Sequence, residues 1–251
     1  MSSRVDRLLG ATALVLALVL ALGTFAQAAE PPEELLRRSD LSSIGPQSFR
    51  SQLRITARGR TLALEVWRSG ETKLLVRFLD PAEKGKFLLR REGSLYLIAP
   101  RAKKPVKLTP DYRLSGAASL DEILGTHYSR EYNVVSEGPE GTDADLVALE
   151  LAARAPGLAY PTVRYVVRRS THRPTRADLR LASGKTARIV DFQEWAESPR
   201  PHPIRLRVSD ALNPKATADV QITKVEELAV PEGLFDLADD SERRKLDAGP
   251  R

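Results

Sequence analysis

The chain has 251 residues, 42% of them hydrophobic and 29% charged, with a formal net charge of +6. That length and balance suit a single domain with a real apolar core, and exclude a disordered polyelectrolyte. Cysteine is absent, so no disulfide staples the fold and burial must stabilise it.

The N-terminus reads as an export signal. Arg4 and Arg7 precede an apolar stretch from Ala11 to Leu22, and Ala26-Gln27-Ala28 supplies a small-x-small cleavage site. The run is shorter than the roughly 20 apolar residues of a membrane-spanning helix. Residues 1–28 are therefore expected to be a signal peptide, and the periplasm the destination. Without Arg4, Asp6 and Arg7 the net charge falls from +6 to +5. In an exported protein such an excess points to anionic lipid headgroups or an acidic partner, and only charge speaks for nucleic acid.

From Pro31 to Leu41, Glu33 and Glu34 sit in a first turn and Arg37 and Arg38 in a last one, the charge order that favours a helix. After "SSIGPQS" the period changes to two. Leu62, Leu64 and Val66 alternate with Thr61, Ala63, Glu65 and Trp67; after "SGE" come Leu74, Val76 and Phe78. "KFLLRR" and "SLYLIA" flank the tight turn Glu92-Gly93. In "SLDEILGTHYS", Ser119 and Glu122 have capping-box spacing at the start of a short helix. "DLVALELAAR", "TVRYVVRRS", "RADLRLAS", "ARIVDFQEW", "PIRLRVSD" and "TADVQITKVEEL" continue the strand rhythm. "PEGLFDLA" is a helical candidate, and the tail 239–251 reads as disordered.

The expected fold is mainly β (α+β): a curved antiparallel sheet of about ten or eleven strands, with short helices as a lid. A strongly twisted sheet of that size curls, which makes an incomplete barrel. Catalytic and metal signatures are sparse. His127, His172 and His202 are far apart in sequence, with His202 reading as a loop residue between two prolines, and no nucleophile elbow or phosphate loop is present. The expectation is a non-enzyme without metal or cofactor.

What the sequence does supply is apolar surface at alternating positions. Leu62, Leu64, Val66, Leu74, Val76, Phe78, Leu95, Leu97, Val163, Tyr165, Val167, Leu179 and Leu181 can share one concave face, joined by Ile204, Leu206 and Val208. Periodicity alone leaves open whether that face is an ordinary filled core or the wall of a cavity that takes a hydrocarbon.

The stretch "EVWRSGETKLLVRFLDPAEKGKFLLRREGSLYLIAPRAKKPVKL", with "LSGAASLDEIL" after it, resembles the outer membrane lipoprotein-sorting family, relatives of the periplasmic carrier LolA. Trp67, Pro81, Lys84, Gly85, Leu88, Leu89, Tyr96, Pro100 and Asp121 match the family's pattern, with Gly116 and Asp121 as approximate counterparts. Leu95 stands where the family often has Trp, and Leu114 near its usual Met. The C-terminal "VPEGLFDL" extends the likeness, so that residues 29–238 form one LolA-like domain.

The resemblance implies an unclosed barrel lidded by the helices at 31–41 and 119–124, and a periplasmic carrier or sensor of acyl chains. It makes Lys84, Lys86, Arg101, Lys103, Lys104 and Lys107 a basic rim at the entrance. The implied partners are an acyl-bearing lipid or lipoprotein, an inner-membrane transporter and an outer-membrane acceptor. The alternative is a non-catalytic periplasmic subunit docked on an inner-membrane transporter or signalling protein.

Overall fold

The computed structural model describes residues 30–44, 47–100, 102, 104–109, 112–115, 118–124, 126–198, 200–213 and 215–248. In chain order these form α1 (Pro32–Ile44), β1 (Ser48–Ala57), β2 (Arg60–Ser69), β3 (Lys73–Phe78), β4 (Phe87–Arg91), β5 (Ser94–Ile98) and β6 (Val106–Lys107). There follow β7 (Arg113–Ser115), β8 (Ala118–Ser119), α2 (Leu120–Leu124), α3 (Tyr128–Glu131), β9 (Tyr132–Glu140), β10 (Asp143–Ala153) and β11 (Thr162–Arg168). The chain continues with β12 (Arg173–Arg180), β13 (Thr186–Ala196), β14 (His202–Asp210), β15 (Thr217–Glu227) and α4 (Ser241–Ala248). The signal-peptide expectation lies outside the described residues.

Thirteen strands make one antiparallel sheet in the order β6-β5-β4-β3-β2-β1-β15-β14-β13-β12-β11-β10-β9, and β7 pairs with β8 apart from it. β6 and β9 are the two ends and do not pair with each other, so the sheet is curved but unclosed, as the sequence predicts. The main sheet holds three strands beyond the ten read from periodicity: β1, β6 and β9. β1 does alternate, Phe49, Leu53, Ile55 and Ala57 being buried, but Ser51 interrupts the apolar set. β9 is an edge strand with Gly138 and Pro139, tolerated there because its outer N–H groups need no ladder partner.

One face of the sheet is apolar throughout. Leu64, Val66, Leu74, Val76, Leu88, Val163, Tyr165, Val167, Leu179, Leu206 and Val208 belong to a single buried cluster, with Leu62, Phe78, Leu95 and Leu97 packed at its margin. This face is closed by helices together with Ala118 of β8 and Leu114 of β7. Leu35 and Leu36 of α1, Leu120 and Ile123 of α2, and Tyr128 of α3 complete the same cluster. The opposite face of β10–β15 carries ion pairs such as Arg180–Glu150 (2.7 Å) and Arg207–Asp219 (2.8 Å), which explains the apolar/polar alternation there.

β2 to β5 are covered on both faces. Trp67, Leu75, Phe87 and Leu89 point away from the concave side and pack under Val230, Leu234 and Phe235. That second cluster is why "VW", "LLV" and "FLL" carry apolar residues in both registers of their strands.

The C-terminal segment departs from the predicted disorder. α4 forms, Leu246 packs on the second cluster, and the buried Arg243 donates through Nη1 to the carbonyls of Leu234 (3.1 Å) and Asp236. Its polar composition hides one buried arginine that ties the helix down. His202 also departs: it is the first residue of β14 and is buried, with Nδ1 2.7 Å from the Arg200 carbonyl. Pro203 is accepted in the sheet because β14 pairs with β15 only from Arg205 onward.

Candidate functional site

At the end of the sheet where the β2–β3 and β4–β5 turns lie, α2 and α3 roof a cavity of about 430 Å³. That is within the usual size of small-ligand sites, about 300–1,000 Å³. Glu71, Thr72, Arg90 and Gly93 come from the strand ends and turns, and Arg113 and Ser119 from β7 and β8. Glu122, Thr126 to Tyr128 and Arg130 to Tyr132 supply the roof, Gly157 to Tyr160 one side, and Leu179 a patch of floor.

The roof is held by polar side chains at defined points. Ser119 N–H donates to Glu122 Oε2 (2.8 Å) and Glu122 N–H to Ser119 Oγ (3.3 Å), the reciprocal capping box predicted from spacing. Tyr160 Oη donates to the other Glu122 oxygen (2.9 Å), fixing α2 to the 157–160 loop. Asp40 of α1 accepts from the N–H groups of Tyr128 (3.2 Å) and Ser129 (2.6 Å), so one helix caps the next. Ser39 and Tyr165 share a buried hydrogen bond of 2.9 Å between α1 and β11. Tyr128 lies against Tyr165, with ring centroids 4.7 Å apart.

Burial shifts the acids here upward. Asp40 is pushed up to about 6 by desolvation, opposed by its hydrogen bonds from Ser129 and Tyr128. Glu122 and Glu131 are raised for the same reason. His127, in the α2–α3 connection, is lowered by burial and then by the charge of Arg68.

The predicted residues divide. Those expected to wall a hydrocarbon cavity gather on the concave face, but among them only Leu179 lines this cavity; the rest pack under the helices. Leu181 leaves the set, because it follows β12 in the turn where its N–H donates to the Lys185 carbonyl (3.0 Å), and Ile204 stands outside the cluster that holds Leu206 and Val208. Trp67 faces the other side of the sheet. Gly85 and Pro100 meet: a Cβ on Gly85 would stand 2.6 Å from Pro100 Cγ. Pro81 opens a 3-10 turn whose N-cap, Asp80, accepts from Ala82 N–H (2.9 Å). Tyr96 pairs with Lys107 on β6.

Of the basic rim, the described residues Lys84, Lys86, Lys104 and Lys107 do not border this cavity. Lys84 and Lys86 lie between β3 and β4, at the strand ends opposite the cavity, where Lys86 pairs with Glu83 (2.5 Å). Lys104 borders a separate hollow with Gly85, Pro100 and Arg243. Arg101, Lys103 and Gly116 fall outside the described residues, and of Asp121 only the helical backbone is described. The reason is connectivity: in an antiparallel run, loops two strands apart in sequence share an end, and turns one strand apart take the other.

Sequence reasoning passed over two inward charges. Phe49, Arg68, Leu74, Arg90 and Leu95 are laterally paired across β1 to β5, so both arginines lie on the concave, apolar face. Arg68 is 2% exposed. The signal was present, since Leu62-Leu64-Val66-Arg68 continues one alternating register.

Among known proteins, a family model described as "Uncharacterized protein" matches residues 70–239. A sequence comparison with curated proteins gives no match. Solved structures share the fold. A LolA superfamily protein from Nitrosomonas europaea is 20% identical with a TM-score of 0.72, covering 83% of this chain and 98% of that one. A domain described as outer membrane lipoprotein-sorting, from Vibrio parahaemolyticus, is 12% identical with a TM-score of 0.66, covering 86% and 97%. A DUF1329 family protein from Desulfovibrio piger is 16% identical with a TM-score of 0.65, covering 82% and 96%. The chain belongs to the family whose model matches residues 70–239, and it has the fold of the LolA superfamily.

Proposed function

We propose that this protein is a periplasmic, non-enzymatic carrier or sensor of the acyl chains of lipids or lipoproteins, serving their movement toward the outer membrane. The observation that carries this reading is the concave face itself. A continuous apolar wall is covered by short helices that are joined to it and to each other by a few polar contacts. The likeness to LolA superfamily and lipoprotein-sorting structures and the signal-like residues 1–28 support the same reading.

The energetics fit a carrier. Each CH₂ taken from water contributes about 0.8 kcal/mol, so one 16-carbon chain gains on the order of 12 kcal/mol before association costs. The wall is covered by α1, α2 and α3, so an acyl chain enters by displacing helices, with the 430 Å³ cavity as the existing opening. A lid that swings on contact with a donor or acceptor would let the cargo leave again. The same filled wall favours a second reading, a subunit docked on an inner-membrane transporter or signalling protein, in which the helices stay shut.

The test is mass spectrometry of the protein exported from a Gram-negative host and purified without detergent, intact and after solvent extraction. A stoichiometric acyl-bearing species supports the carrier. An empty protein that co-purifies with a membrane complex supports the docked subunit and sinks the carrier reading.

A further inference from the structure

Six exposed cations gather at one end of the sheet. They are Arg58 and Arg60 at the β1–β2 turn, Lys84 between β3 and β4, Lys104 before β6, Lys185 before β13 and Lys215 before β15. The register brings these five connections to the same strand ends: Ala57 pairs with Arg60, Thr56 with Asp219, Ser209 with Thr217, Asp210 with Arg188 and Thr186 with Arg180. Along the sheet each connection lies two strand spacings from the next, about 10 Å, so the row runs for about 40 Å. None of the six forms an ion pair or a side-chain hydrogen bond among the described residues. Arg54 and Lys107, the other exposed cations in that condition, stand on β1 and β6.

The opposite end is different in kind. Its turns also carry cations, but they are paired: Lys73 with Glu232, Arg91 with Glu92 (3.1 Å), Arg168 with Asp143 (3.1 Å) and Arg200 with Glu227 (3.2 Å). The acids at the basic end leave its charge standing, because each is engaged elsewhere. Glu83 pairs with Lys86 (2.5 Å), Asp210 with Arg188 (2.9 Å) and Asp240 with Arg244 (2.9 Å). Asp80 caps the turn at Ala82 N–H (2.9 Å), and Asp247 lies 3.9 Å from Arg77 Nη1.

Two exposed leucines stand among the cations. Leu212, 60% exposed, is three residues from Lys215, and Leu79, 38% exposed, opens the connection that holds Lys84. No aromatic residue lies in any of the five connections. Protein interfaces are depleted in lysine and centre on aromatic anchors, whereas four of these six cations are lysines. A long row of separate point charges with apolar tips between them suits a flat anionic surface, not a shaped protein partner.

We propose that this end of the sheet is a docking surface for an anionic lipid membrane, with Leu79 and Leu212 entering the headgroup layer between the cations. The proposal goes beyond the carrier reading and holds whatever the concave face carries.

The test is co-sedimentation of the exported protein with vesicles of phosphatidylcholine alone, and of equal parts phosphatidylcholine and phosphatidylglycerol. Partition into the anionic vesicles should be at least about a hundredfold stronger, with the gap narrowing as salt rises. The triple variant Arg60→Gln, Lys185→Gln, Lys215→Gln alters only exposed side chains and should lose about a hundredfold of that binding. Leu212→Ser should lose about tenfold, at low and high salt alike. The control variant Lys73→Gln, Arg200→Gln, Lys224→Gln removes the same charge from the paired end and should bind to within about threefold of wild type.

Equal partition into the two kinds of vesicle overturns the docking surface. Equal losses in the two triple variants also overturn it, because net charge alone would then act. Binding to polyglutamate as tight as to the anionic vesicles, with Leu212→Ser silent in both, assigns the row to an acidic polypeptide and overturns the membrane.

Discussion

Gly85 and Pro100 lock two loops together: the proline ring occupies the space that any side chain at position 85 would need. Gly85 also has φ of +77°, a region that L-residues avoid. Gly85→Ala therefore meets two obstacles, and should destabilise the protein by about 2–3 kcal/mol in urea denaturation. In a Pro100→Ala background the clash disappears and about 1–2 kcal/mol should remain for the left-handed backbone. Equal losses in both backgrounds would show that the contact contributes nothing.

Asp40 gives a pH dependence with a definite sign. Its folded pKa is raised to about 6, so between its ordinary value and 6 the native state holds a proton that the unfolded chain has released. Its contribution to stability is largest in acid and declines as pH rises from about 4 to about 6, by up to about 3 kcal/mol. Asp40→Asn keeps an acceptor for one of the two N–H groups and cannot titrate. The difference between wild type and variant should follow a curve with its upper midpoint near pH 6, and a flat difference would refute the assignment.

The Ser39–Tyr165 bond measures how firmly α1 sits on β11. Tyr165→Phe and Ser39→Ala should each cost about 1 kcal/mol, and the double variant should lose about 1 kcal/mol less than their sum. Simple additivity would mean that the two hydroxyls do not meet in solution.

Arg243 should report on the C-terminal helix. Arg243→Ala leaves the Leu234 and Asp236 carbonyls without their donor, an expected loss of about 1–3 kcal/mol. The chain has two tryptophans, so in a Trp195→Phe background Trp67 is the sole reporter, buried under the 230–237 segment. Its emission should move to the red when Arg243 is removed. Unchanged emission with lowered stability would place the helix's role elsewhere.

Much of the architecture was legible because local chemistry and the final fold agree. Alternation gave the strands and the concave wall, and Ser119 with Glu122 announced α2 three residues apart. What escaped was set by distance in the chain. β9 carries Gly138 and Pro139, and becomes a strand only because β10 pairs with it. α4 looks solvated until Arg243 finds the carbonyls of 234 and 236. The basic loops looked like an entrance, since sequence shows that lysines cluster without showing at which strand end they fall. Arg68 and Arg90 lay in the inward register, yet a reading that collects apolar residues discards the charges interrupting them.

A closed barrel has a girth fixed by its strand number and stagger. This sheet stops short at β6 and β9, so no such rule binds it. Its ladders also slip register at Gln52/Leu53, Val166/Val167 and Phe192/Glu194, places where the strand bends most readily. Bending at those joints would change the curvature of the trough without unpairing its strands. Its girth is therefore a matter of curvature, set by how far each strand bends and not by a closing ring of hydrogen bonds.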